Sequence, residues 1–141
     1  MEINMLILGM GSIILFYLID KNHLPATGVA KRYLLSRLED NKKKELRLQA
    51  ELEALIRQNE AWMLNAFPDC DITYAEYIET VKEKHSIEYS DLEFESLRKK
   101  QLVMGQVMEY LDKIKSQQEA ITALENDVEY QKQVFTRHMA S

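Results

Sequence analysis

The chain has 141 residues, with 23 Asp and Glu against 18 Lys and Arg, a net charge of −5 and a single cysteine. That length leaves room for one extended or small globular unit. The acidic balance, with no basic stripe interleaved with aromatics, excludes a nucleic-acid binder, and one cysteine excludes an intramolecular disulfide.

The chain opens on residues 3–19, INMLILGMGSIILFYLI, an uncharged run between Glu2 and Asp20-Lys21. As a helix it would cover about 25 Å at about 1.5 Å per residue, the lower limit for crossing a hydrocarbon core. The run is apolar on every side, which the remaining chain offers no comparable surface to cover. It reads as a transmembrane anchor (residues 1–21) carried by Ile3, Leu6, Ile7, Leu8, Ile13, Ile14, Leu15, Phe16, Tyr17, Leu18 and Ile19. A signal peptide would carry a positive n-region, where this chain has the acidic Glu2. Lys21, Lys31, Arg32 and Arg37 lie beyond the run, so the positive-inside rule places the C-terminal part in the cytoplasm.

Charge changes sign along the rest of the chain. Residues 23–50 hold seven basic and three acidic residues, a net +4, whereas residues 51–141 hold ten basic and eighteen acidic, a net −8. A basic stretch beside an anionic leaflet gains about 1 kcal/mol per nearby Lys or Arg; a solvated helix face accounts equally well for Lys42, Lys43 and Lys44.

Residues 22–28 form a hinge marked by Pro25 and Gly28, with Thr27 placed to cap a helix. Leu24-Pro25-Ala26-Thr27-Gly28 resembles the LPxTG motif of sortase substrates. In that family the motif precedes a C-terminal apolar segment; in this chain it comes after an N-terminal one, so cleavage would release the downstream part and not attach it.

Residues 29–141 read as one helical coiled-coil domain. The first helix is expected over 29–67, with Leu34, Leu38, Leu48, Leu52, Leu55 and Trp62 on its seam and Pro68 as its stop. Around residues 40–45 no apolar residue falls on the seam, which predicts exposure to water there. Asp71 or Thr73 can cap a short helix to about residue 84, Thr73 with Glu76 as a capping box, and residues 85–89 form a break. Ser90 and Glu93 form a second capping box opening a last helix over 91–137, with Leu97, Met104, Val107, Leu111, Ile114, Gln118, Ile121, Glu125, Val128 and Phe135 on the seam.

The fold expected is therefore all-α: a transmembrane helix, a long helix, a short helical elbow and a second long helix, forming an antiparallel coiled-coil hairpin or small bundle. Its spare apolar residues predict self-association through the coiled coil or a partner helix.

Chemistry is sparse. His23, His85 and His138 lie without cysteine or carboxylate at metal-ligand spacing, and there is no phosphate loop or nucleophile elbow. Asp69, Asp71 and Thr73 begin like a calcium loop, but Tyr74 and Thr80 stand where that loop needs glycine and glutamate. Flanking Asp69 and Asp71 disfavour a Cys70 thiolate. No enzyme activity, cofactor or metal is expected. Trp62, Phe67, Tyr74, Tyr77, Tyr89 and Phe94 are either partner-binding anchors or the filling of the elbow.

These features point to a non-enzymatic single-pass protein of the cytoplasmic (inner) membrane, a scaffold, tether or assembly factor contacting the lipid bilayer and other subunits of a membrane complex. Its layout, an N-terminal anchor and then helical coiled coil, is similar to that of phage inner-membrane spanins. That likeness implies, as one alternative, a lysis or envelope-spanning protein with an external helical domain. A small immunity or inhibitor protein of a membrane-associated target is another.

Overall fold

A computed structural model describes residues 24–140. The anchor expected over residues 1–21, with every side chain assigned to it, lies outside the described residues. Among the described residues no helix is long and apolar enough to cross a membrane.

The fold is all-helical: α1 (Gly28–Gln58), α2 (Tyr74–Glu88), α3 (Asp91–Lys99) and α4 (Met104–Ala140). α1 starts where Thr27 Oγ1 accepts a hydrogen bond from the Ala30 amide at 3.1 Å, the cap the sequence predicts. It ends at Gln58, nine residues before the expected stop at Phe67. The Ala61 amide donates to the Ile56 carbonyl at 3.0 Å and the Glu60 amide to the Arg57 carbonyl at 3.2 Å, with Glu60 at φ 49°. This is a Schellman closure, sealed by the buried Ile56 and Ala61. Pro68 therefore lies in the elbow, not at a helix end.

Residues 59–73 loop over the top of the bundle, held by Ala66 N–H to the Ile72 carbonyl at 2.9 Å and Tyr74 N–H to the Leu64 carbonyl at 2.9 Å. The predicted capping box at Thr73 and Glu76 opens α2. α2 then runs to Glu88, past the break expected from residue 85, and Tyr89 and Ser90 turn the chain into α3. Ser90 occupies the cap position there, but its side chain makes no cap hydrogen bond.

The last helix is two helices. Residues 100–103 interrupt it where the segment 24–26 returns: Ala26 N–H donates to the Leu102 carbonyl and Met104 N–H to the Leu24 carbonyl, both at 2.8 Å. The expected hinge is thus tied to the base of the bundle on its C-terminal side.

That interruption excludes the hairpin of the two expected architectures. α1 and α4 run parallel: Asn41 Nδ2 reaches the Gln117 side chain at 3.1 Å, Lys44 pairs with Glu125 at 2.8 Å, and Glu51 pairs with Lys132. α2 and α3 supply the descending limb, with Lys82 pairing with Glu53, His85 with Glu45 and Asp91 with Lys42. Of the two architectures expected, the small bundle is found and the antiparallel hairpin is not: the limbs run up-down-up in a three-helix bundle whose middle limb is broken at Tyr89–Ser90. The physical reason is length. At about 1.5 Å per residue, α2 and α3 carry the chain back along most of α1, so α4 must start again from the base.

Both long helices keep heptad spacing. α1 buries Leu34, Leu38, Asn41, Glu45, Leu48, Leu52 and Ile56. α4 buries Val107, Ile114, Gln117, Ile121, Val128, Gln131 and Phe135. The polar seam positions of α4 are thus Gln117 and Gln131, not Gln118 and Glu125. Asn41 and Glu45 are buried, contrary to the exposure expected around residues 40–45.

Candidate functional site

The core is two apolar clusters with a polar layer between them. The upper one gathers Leu48, Leu52, Ile56, Tyr74, Ile78, Ile121, Val128 and Phe135; the lower one gathers Leu34, Leu38, Leu97, Leu102, Val107 and Ile114. Between them lie Asn41 and Glu45 from α1, His85 and Tyr89 at the end of α2, and Gln117 from α4. Asn41, Glu45, His85 and Gln117 each have a polar partner, as burial of polar groups demands. Asn41 Nδ2 donates to Gln117 Oε1, Gln117 Nε2 donates to Glu88 Oε1 at 3.0 Å, and Glu45 Oε2 meets His85 Nδ1. The Tyr89 ring lies 5.0 Å from that of His85.

Burial pushes the Glu45 carboxyl above its ordinary 4.5, against the opposing attraction of His85. Burial also raises the Tyr89 phenol, helped by the negative charges of Glu45 and Glu88, so it stays neutral and hydroxylic. The layer holds Glu45 and His85 in contact, and among the described residues no group of three or more His, Cys, Asp or Glu is placed to hold a metal ion.

α1 is the central element. It packs against α2, α3 and α4, whereas no Cα of α2 or α3 comes within 8 Å of α4. Packed helices usually lie 8–10 Å apart between axes, so the side of the bundle between α2 and α4 is splayed. Long side chains span the gap. Tyr77 OH donates to Asp127 Oδ2 at 2.9 Å, Gln117 bonds Glu88, and Tyr74 OH bonds Gln131, which also donates to the Ala66 carbonyl at 2.9 Å.

Between the Gln117–Glu88 and Tyr77–Asp127 struts the gap is an open groove of about 560 Å³. Its α4 wall is Ala120, Ala123 and Leu124; its α2 wall is Val81, Lys84 and Ile87; Glu45, His85 and Ile121 form its floor. Ala120 and Ala123 are small, so between the two struts that part of the α4 wall reaches only a short way toward α2.

The predicted aromatic anchors separate by level. Tyr74 is buried in the upper core, its ring 5.4 Å from Phe135. Phe67 and Tyr77 meet edge to face at 5.3 Å, Phe67 stacks on Tyr130 at 6.4 Å, and Trp62 packs half-buried against the same cluster. These four fill the elbow. Tyr89 belongs to the polar layer and Phe94 packs on the lower cluster. The exposed apolar residues of the elbow are instead Met63 at 80 %, Leu64 at 59 % and Ile72 at 41 %. Helical spacing would put Met63 on the stripe of the first helix and Ile72 on the apolar face of the short one, but residues 59–73 lie between the helices, so neither residue is held on a seam. The lysine run is largely engaged in ion pairs: Lys42 with Asp91, Lys43 with Glu39 at 3.2 Å and Lys44 with Glu125.

Comparison with protein-family models, curated proteins and solved structures finds no match to this chain.

Proposed function

We propose that this chain is a non-enzymatic, single-pass tether or scaffold of the cytoplasmic membrane. Residues 3–19 hold it in the bilayer, and the helical bundle on the cytoplasmic side receives other subunits of a membrane complex. The observation that carries this reading is the uncharged apolar run itself, with Lys21, Lys31, Arg32 and Arg37 close behind it.

The bundle's shape supports the reading. Its base lies at Leu24, next to the apolar run, and the 31 residues of α1 set the elbow about 46 Å away. Such a rod keeps one end at the lipid surface and presents the other, with Met63 and Leu64 exposed, to the aqueous side.

Membrane fractionation of the full chain and of a chain lacking residues 1–21 tests it. The full chain should stay with the membrane through high-salt and alkaline washes, and the shortened chain should leave with the aqueous fraction. A reporter after Ser141 fixes the side. Green fluorescent protein should glow there, whereas alkaline phosphatase activity would move the bundle to the outside and favour the envelope-spanning alternative.

A further inference from the structure

We propose that the groove between α2 and α4 is the docking site for one amphipathic helix of a partner protein, with an apolar ridge flanked by basic residues. This rests on the scaffold reading and names the class of partner it would receive.

The gap has the dimensions of such a ridge. From Gln117 to Asp127 along α4 is about 15 Å, roughly three helical turns, and about 560 Å³ accommodates a few large apolar side chains. Ala120 and Ala123 let a neighbouring helix come close, while Ile87, 69 % exposed, stands at the edge with its apolar surface uncovered.

Charge selects the occupant. The groove presents the carboxylates of Glu88 and Asp127 near its two ends, Glu45 paired with His85 on its floor and Lys84 as its only strong base. α2 and α4 are each net acidic, four carboxylates against two bases and six against four. Basic side chains ten or eleven residues apart on an incoming helix would meet Glu88 and Asp127. A second copy docking through the same edge would set like charge against like. Residues 3–19 are uncharged and apolar on every side, so a groove covering one face of a helix would leave the rest of that segment wet.

The test uses the full chain in mild-detergent micelles with methyl-labelled alanine and isoleucine. The probe is a synthetic helix with leucines along one face and lysines flanking them eleven positions apart, beside a twin with glutamates in place of the lysines. The lysine helix should shift the methyl signals of Ala120, Ala123 and Ile87, and should bind about tenfold or more tightly than its twin at low salt. Ala123→Trp should abolish binding without changing helix content, and Glu88→Gln with Asp127→Asn should erase the difference between the twins.

Equal binding of the two helices, shifts elsewhere on the bundle, or no binding by either would overturn the proposal. So would a cross-link between Leu8→Cys and Ala120→Cys in a Cys70→Ser chain, which would give the groove to the chain's own N-terminal segment, or a dimer dispersed by Ala123→Trp. Failure of the membrane fractionation alone would remove the tether reading and leave the groove's preference for a basic helix standing.

Discussion

The seam between α1 and α4 and the gap between α2 and α4 are built from the same kinds of helix, yet one is closed and the other open. Along α1, large aliphatic residues recur at heptad spacing, and Leu34, Leu52 and Ile56 have no exposed surface. Above the groove α2 and α4 share the upper cluster, where the Tyr74 ring lies 5.4 Å from that of Phe135; along the groove α4 offers Ser116, Ala120 and Ala123, and the two helices are bridged by the hydrogen bonds of Tyr77 and Gln117. Apolar burial is non-directional and scales with area, so the first interface holds the fold together. The second is a few struts around a space.

Breaking the closed seam should have the largest effect. Leu52→Ala removes a fully buried side chain of the upper cluster and should cost about 2–5 kcal/mol. Urea titration should show a lower midpoint at an unchanged slope. Val81→Ala on the groove wall should cost less than about 1 kcal/mol, as for a partly exposed site.

The struts should rank by their burial. Gln131, with no exposed surface, accepts from Tyr74 and donates to the Ala66 carbonyl. Gln131→Ala leaves both buried partners unsatisfied and should cost about 1–3 kcal/mol. Tyr77→Phe loses one hydrogen bond to Asp127, a residue water can reach, and should cost about 1 kcal/mol or less. Thermal unfolding of the two variants side by side separates them, and equal losses would mean that the gap is packed as tightly as the seam.

The polar layer between the clusters should show itself in pH dependence. Burial raises the folded Glu45 carboxyl above 4.5, so the folded chain holds that proton more tightly than the unfolded one. Glu45 therefore adds stability as pH falls from its raised value toward 4.5 and costs stability above it. Glu45→Gln should remove this slope, so the variant gains on the parent as pH rises through that window. Asp91 has the opposite sign. Its hydrogen bond and ion pair with Lys42 hold its carboxyl below 3.8, giving stability that is present above 3.8 and lost as pH falls below it. Asp91→Asn should flatten only that acid limb. Denaturant midpoints at a series of pH values check both.

The smallest effect should be a gain. Glu60 stands at φ 49°, a conformation that favours glycine. Glu60→Gly should stabilise by up to about 1 kcal/mol, read as a higher melting temperature.

Two of the local capping signals survive in the structure, the Ser90/Glu93 box does not, and the long-range pairings were not legible. Thr27 and the Thr73/Glu76 box mark their helix starts because capping is settled within four residues. The end of α1 is invisible because Glu60 takes the left-handed position usually marked by glycine. The break at residues 100–103 holds neither proline nor glycine and exists because the 24–26 segment pairs with it. Missing that break turns a three-limbed bundle into a hairpin and reverses the direction of α4. Asn41 and Glu45 look like a gap in the seam because their partners, Gln117 and His85, lie 76 and 40 residues away. The groove has no signature of its own: Ala120 and Ala123 read as ordinary helix formers until α2 is placed opposite them.

The parallel course of α1 and α4 underlies both the rod and the groove, and one cross-linking experiment tests it. In a full chain carrying Cys70→Ser, cysteines replace Glu51 and Lys132, whose side chains pair across the two helices. A short bis-maleimide should join them within one chain in good yield. An antiparallel hairpin would instead bring position 51 beside the neighbourhood of Met108. Efficient closure of Glu51→Cys with Met108→Cys, and none with Lys132→Cys, would contradict the account.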